Sequence, residues 1–163
     1  MNKREARLLA VYENRTLAEG LRIFSVCASL LSVYAFAYML VLSFTENAWD
    51  ALRLAVVLFV PFVFVSIVRA VVQAPRPYEV YSFYEEKPHR ARGKSFPSRH
   101  AFSSFAIAVA MLAFDAMFAF LLLGVAVALA ISRYLLGIHF PRDLVAGALI
   151  GTVTTVLGLW ILF

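Results

Sequence analysis

Long hydrophobic stretches dominate this chain, and charge interrupts them in few places. Residues 23–44 and 144–163 contain no charged side chain, and residues 52–73 carry only two arginines, one near each end. Each stretch has about the 20 residues that a helix needs to cross the hydrocarbon core of a bilayer. The pattern therefore predicts membrane-spanning helices over about 23–44, 52–73 and 142–163. In the last of these, the spacing of Gly147 and Gly151 allows the close approach of another helix.

A fourth apolar stretch is too long for one span. Residues 101–132 carry a single charge, at Asp115. One continuous helix there would be about 48 Å long at 1.5 Å per residue, against a hydrocarbon thickness of about 30 Å. We therefore expect a break at Asp115 and two antiparallel helices, over about 98–114 and 116–136.

The first 22 residues mix leucines with basic side chains. This mixture is typical of an amphipathic helix lying on the membrane surface, although a flexible polar tail would have a similar composition. The whole pattern predicts one all-α domain over residues 1–163, an integral membrane bundle of five transmembrane helices. A sixth would be present if the N-terminal segment inserts.

Composition agrees with a membrane protein. The chain has 163 residues, of which 63% are hydrophobic and 15% charged, and its mean hydropathy is +0.82. The net charge of +5 comes from basic residues between apolar spans, so the expected partner is an anionic lipid or phosphate and not nucleic acid. Cys27 is the only cysteine, which excludes an internal disulfide and a cysteine metal cluster.

Three polar clusters fall at the ends of these predicted helices. The hairpin at Asp115 brings all three to one face of the membrane. Charges are costly at a membrane boundary unless they have a task, and a multiply charged anion would give them one. The candidate residues are Arg69, Arg76, Ser98, Arg99, His100, Arg133, His139 and Asp143.

The spacing within the clusters indicates chemistry. Pro141 suits the first turn of a helix, so Asp143 would lie one turn beyond His139 and within reach of its imidazole. A carboxylate on one ring nitrogen fixes the tautomer and leaves the other nitrogen as a base or nucleophile. Ser98 is a candidate N-cap, so the next backbone amides would form an anion site at a helix N-terminus. Alternatively, these charges mark the interface of a short membrane loop.

Together the three clusters resemble the signature of the type-2 phosphatidic acid phosphatase superfamily. The matching residues are Arg69-x6-Arg76-Pro77, Pro97-Ser98-Arg99-His100 and Ser132-Arg133-x5-His139-x3-Asp143. Two positions depart from the family pattern. Arg69 stands where the family usually has lysine, and Arg99 stands where it usually has glycine.

The resemblance implies roles for these residues. His139 would attack phosphorus and form a phosphohistidine, with Asp143 supporting its ring. His100 would protonate the leaving oxygen and then activate water. The phosphoryl oxygens would be held by Arg69, Arg76, Ser98, Arg99 and Arg133. The mechanism needs no cofactor and no metal; zinc held by the two histidines and the aspartate is an alternative that the nearby arginines oppose.

The implied function is that of a membrane lipid phosphatase, and the bilayer would supply its substrate. Candidates are a polyprenyl phosphate or diphosphate, phosphatidylglycerol phosphate and phosphatidic acid. The alternative is a catalytically idle membrane protein that binds anionic lipids through the same basic face.

The orientation follows from charge. Of the 15 lysines and arginines, all but Arg53 lie on the side of the three clusters. The positive-inside rule then places the clusters in the cytoplasm. Many bacterial members of the resembled family act on the outer face, so resemblance and charge count disagree.

Overall fold

A computed structural model describes residues 3–84 and 93–162 of this chain, and within these ranges it contains helices and no strand. The predicted all-α class is confirmed. Three basic residues of the long polar loop, Lys87, Arg90 and Arg92, lie outside the described residues.

Seven helices follow one another in the described ranges. They are α1 (Lys3–Glu13), α2 (Arg15–Glu46), α3 (Ala48–Val72), α4 (Pro77–Val80), α5 (Arg99–Met111), α6 (Ala116–Leu135) and α7 (Pro141–Leu162). Four of these, α2, α3, α6 and α7, are long and apolar enough to cross a membrane. With its 13 residues α5 is about 20 Å long, so it reaches only part of the way across the hydrocarbon core.

The N-terminal segment differs from the expected surface helix over residues 1–22. The break falls at Asn14, whose side chain accepts a hydrogen bond of 3.0 Å from the Leu17 amide and caps α2. Residues 15–22 therefore form the first turns of α2. Leu8 and Val11 of α1 are buried against the rest of the protein. Local capping at Asn14 set this boundary, which the hydropathy of the segment did not reveal.

The expected break at Asp115 is present. The chain turns after Met111, and the Asp115 side chain accepts a 2.8 Å hydrogen bond from the Phe118 amide at the start of α6. The helix before this turn, α5, lies at the centre of the bundle, where its Phe102, Ala106 and Ala110 join the buried apolar core.

Close packing of α5 against α7 fixes the position of the α5 N-terminus. A Cβ atom added to Gly147 would collide with the Ser98 carbonyl oxygen, and one added to Gly151 would collide with the Phe102 carbonyl oxygen. The Ser98 amide also donates to the Asp143 carbonyl oxygen at 2.9 Å. The first turns of the two helices are therefore locked together, as the glycine spacing predicts.

Candidate active site

Ser98 begins α5 and confirms the predicted N-cap. Its side-chain oxygen accepts a hydrogen bond of 3.4 Å from the Ala101 amide, and the residue is fully buried. The amides of Arg99 and His100 belong to the first turn of the helix, where backbone donors have no partner within the helix. This end of α5 therefore presents donors and a positive dipole to the membrane face.

His139 lies in the turn between α6 and α7, and its side chain is buried. Its Nδ1 atom is 3.9 Å from Oδ2 of Asp143, which is too far for a hydrogen bond. Ser95 contacts both residues: its Oγ lies 2.5 Å from Asp143 Oδ2 and 3.4 Å from His139 Nδ1. The carboxylate, the imidazole and the serine hydroxyl therefore form a triangle in which the hydroxyl touches the other two groups.

Asp143 is held by groups besides Ser95. The Phe140 amide donates to its Oδ2 atom at 3.0 Å, and the Arg142 Nε atom lies 3.5 Å from its Oδ1 atom. The residue itself is completely buried. Hydrogen bonds and a neighbouring cation favour an ionised carboxylate at this position.

Burial lowers the pKa of His139 below the ordinary value for histidine. The positive charges of Arg76 and Arg69 act in the same direction, whereas the Asp143 carboxylate opposes them. The imidazole is therefore neutral at neutral pH. Because Nδ1 faces Ser95, the Nε2 atom is the nitrogen left for a nucleophilic attack.

Arg69 holds the polar loop in place. It is buried, and its Nη1 atom donates to the carbonyl oxygens of Ser95 at 3.3 Å and Pro97 at 2.6 Å. This side chain therefore positions the segment that carries Ser95 into the start of α5. Its charge also lies within electrostatic range of Arg76, Arg99 and Asp143.

Arg76 and Arg133 add two more cations. Arg76 donates from Nε to the Gly93 carbonyl oxygen at 3.4 Å, and its guanidinium lies over the Tyr78 ring. The Nε atom of Arg133 is buried and has no hydrogen-bond partner among the described residues. A buried donor of this kind is costly unless a ligand accepts from it.

His100 lies within electrostatic range of His139, Arg133, Arg99 and Arg69. The structure thus brings together all eight residues predicted from the sequence. Arg99 differs from the others because it is exposed, and its guanidinium lies 5.8 Å from the centre of the Phe62 ring. Among the described residues, no three His, Cys, Asp or Glu side chains are placed to share a metal ion.

Within residues 3–84 and 93–162, Ser95 contacts the site although sequence reasoning missed it. It lies two residues before the Pro97-Ser98-Arg99-His100 cluster, in a loop that reads as an ordinary polar connection. The nearness of Ser95 to that cluster was the available signal. Its partners His139 and Asp143 are more than 40 residues away, so the contact itself depends on the tertiary fold.

Comparisons with known proteins identify the family and the fold. Residues 50–163 match the model of the PAP2 superfamily. The structure of LpxE from Aquifex aeolicus superposes with a TM-score of 0.71 at 22% identity, covering 94% of this chain and 92% of that one. A transmembrane PAP2-type phosphatidylglycerolphosphate phosphatase from Bacillus subtilis gives 0.57 at 18% identity, over 99% and 96%. At these identities the likeness concerns the fold.

One sequence relative also matches, over a shorter stretch. It is the bacitracin transport permease protein BcrC of Bacillus licheniformis, which is 38% identical over 66 residues, or 40% of this chain. The matched stretch spans about a third (32%) of the length of that relative.

Proposed function

Because this chain belongs to the PAP2 superfamily, we propose that it is a multi-pass membrane lipid phosphatase that hydrolyses a lipid phosphate or diphosphate. The observation that carries the proposal is the buried, neutral His139, held beside Ser95 and Asp143 and surrounded by arginines. A neutral imidazole is a competent nucleophile, and the cations around it suit a phosphate.

In the first step, the Nε2 atom of His139 attacks the terminal phosphorus in line with the leaving oxygen. The bond from phosphorus to that oxygen breaks, and the oxygen keeps the electron pair and takes a proton from His100, which carries this proton as an imidazolium once the negative phosphate is bound beside it. Asp143 stabilises the imidazolium that forms on His139. Fixed donors from Arg69, Arg76, Arg133 and the start of α5 stabilise the phosphoryl oxygens in the transition state.

In the second step, water attacks the phosphohistidine. His100, now neutral, takes a proton from this water, and the bond between phosphorus and Nε2 breaks as inorganic phosphate leaves. His139 regains its neutral form and His100 its proton. Ser98 and the Arg99 amide contribute donors at the helix N-terminus in both steps.

The substrate comes from the bilayer, because four helices of this chain are long and apolar enough to cross a membrane. Phosphatidic acid, phosphatidylglycerol phosphate and polyprenyl phosphates or diphosphates all present a terminal phosphate on an apolar body. The activity of the Bacillus subtilis protein named above supports the second of these. By the charge count, the site faces the cytoplasm.

Phosphate release from the purified protein tests the proposal. The assay contains detergent and EDTA, one of the candidate lipids, and either the wild type or a His139→Ala variant. We expect release that persists in EDTA and is lost in the variant. Absence of release from every lipid would contradict the proposal. If the variant matched the wild type, the alternative of a lipid-binding protein would be favoured, because binding to anionic lipid requires only the cations.

A further inference from the structure

Arg99 lines a groove that also contains His100. The groove lies between α2, α3 and α5 and has a volume of about 290 Å³. Its wall carries four serines besides the arginine and the histidine: Ser29, Ser32, Ser103 and Ser104. The part of the groove nearest to the catalytic residues is therefore polar and contains an exposed cation that the fold itself does not require.

The polar groove continues into an apolar one. The second cavity, of about 200 Å³, lies between the same three helices and shares Val33, Phe62, Ser103 and Ile107 with the first. Its other lining residues are apolar: Phe36, Leu58, Phe59, Phe102 and Ala106. Val33 and Phe59 are exposed on the surface of the bundle, so this end opens toward the lipid.

The order along the groove matches the parts of a lipid substrate. From Arg99 to Ile107 the groove follows α5 for about 12 Å, at 1.5 Å per residue. His100, which lies within electrostatic range of His139, and Arg99 line one end, and the aromatic cavity lies at the other. A phosphoryl group on His139 would therefore have its leaving group beside His100 and its hydrocarbon chain in the aromatic cavity.

We propose that Arg99 binds a second phosphate, the one that stays on the leaving lipid, and so selects lipids that carry two phosphates. This inference rests on the proposed function. Arg76 acts electrostatically on His139 and Arg69 acts on both histidines, whereas Arg133 and Arg99 act on His100. Of these last two cations, Arg99 is the one that lines the groove with His100. A guanidinium fork suits a phosphate, and the Arg99 guanidinium lies 5.8 Å from the centre of the Phe62 ring, which also lines the groove.

Two kinds of lipid meet this requirement. In a lipid diphosphate, the bridging oxygen leaves as part of a lipid monophosphate. In phosphatidylglycerol phosphate, the leaving alcohol is attached to a phosphodiester. Phosphatidic acid and a prenyl monophosphate each release a neutral alcohol as the leaving group, so that group carries no phosphate for Arg99 to bind.

Two matched substrate pairs test this inference. The first pair is a prenyl diphosphate and the monophosphate with the same chain. The second is phosphatidylglycerol phosphate and phosphatidic acid with the same acyl chains. The value of kcat/KM is measured for the wild type, Arg99→Gln, Arg99→Lys and the control Arg15→Gln, which removes an exposed arginine from the start of α2.

We expect Arg99→Gln to lower kcat/KM for at least one two-phosphate lipid by about 10- to 100-fold, as the loss of a hydrogen bond to a charged group implies. For the matching one-phosphate lipid, kcat/KM should change by less than about 3-fold. Arg99→Lys should restore part of the loss, and Arg15→Gln should have no effect. The pair that responds identifies whether a diphosphate or a phosphodiester is bound.

Equal losses within both pairs, or no loss, would overturn the assignment of Arg99 while leaving the phosphatase proposal intact. If the wild type hydrolysed none of the four lipids, the phosphatase proposal itself would fail.

A Ser103→Phe variant gives a second measurement that does not depend on charge. It places a ring where the polar and apolar cavities meet, so it should slow long-chain substrates more than short-chain ones. Equal slowing would contradict the position of the chain in the groove.

Discussion

The hydroxyl of Ser95 contacts both Asp143 and His139, 2.5 Å from the carboxylate and 3.4 Å from the imidazole. The distance from Asp143 Oδ2 to His139 Nδ1 is longer, at 3.9 Å. We propose that Ser95 is a positioning residue, which orients the proposed nucleophile.

Replacing Ser95 by alanine should reduce the rate of the chemical step. The imidazole would lose one of its two polar neighbours, and the buried carboxylate would lose a donor. We expect kcat to fall about 10- to 100-fold with KM nearly unchanged. Steady-state kinetics on one lipid phosphate measures both constants.

Ser66→Ala is the matched control for this experiment. Its hydroxyl donates only to the Phe62 carbonyl oxygen of its own helix, in a part-buried position outside the site. A Ser95→Ala variant whose kcat equals that of Ser66→Ala would show that the serine does not position His139.

Gly147 should be intolerant of even one added carbon. The Cβ atom of an alanine would collide with the carbonyl oxygen of Ser98, at the start of α5. We expect Gly147→Ala to lower the free energy of unfolding by about 1–3 kcal/mol and to reduce activity, because the donors of the α5 N-terminus move. Thermal unfolding in detergent and kcat measure the two effects.

Two other glycines separate packing from catalysis. An added Cβ at Gly124 of α6 meets no atom within 4 Å, so Gly124→Ala should leave stability and activity intact. An added Cβ at Gly158 of α7 meets the Val57 side chain, far along the helix from Asp143, so Gly158→Ala should affect stability more than activity. If Gly147→Ala behaved like Gly124→Ala, the close contact of α5 and α7 would not control the site.

The pH dependence of stability should report the burial of His139. Because burial lowers the pKa of His139 in the folded state, the unfolded chain binds a proton at this residue more readily than the folded protein does. Stability should therefore fall as the pH drops below about 6.5, the ordinary pKa of histidine. Comparing the Tm at pH 7.5 and 5.5 measures this loss.

His139→Gln removes the titrating group while keeping a polar side chain. Its Tm should fall less between these two pH values than the Tm of the wild type. Equal falls in the two proteins would mean that protonation of His139 does not contribute to the loss.

Sequence patterns predicted much of this architecture because local physics controls it. The length limit of a spanning helix predicts the turn at Asp115, and the Gly147 to Gly151 spacing predicts the close approach of α7 to another helix. The cap formed by Ser98 is likewise a local feature. The clustering of the site residues was predictable because the turn at Asp115 brings the helix ends that carry them to the same face of the membrane.

Some features were not predicted, because they depend on competing local signals or on contacts formed only in the folded protein. Hydropathy changes near residue 23, but the helix begins at Arg15 because Asn14 caps it. Leu8 of α1 looks suited to a membrane surface, yet it is buried in the protein. The contacts of Ser95 depend on partners from a different helix end, and its nearness to the Pro97-Ser98-Arg99-His100 cluster was the one local signal.

Direct detection of a phosphate on His139 tests the central claim of this account. The wild type is mixed in excess with a lipid phosphate labelled at the terminal phosphorus, quenched with alkali within the first turnover, digested and examined by mass spectrometry. We predict a labelled peptide that contains His139 and is absent from His139→Ala. A burst of dephosphorylated lipid with no label on His139, or normal turnover by the His139→Ala variant, would contradict the mechanism.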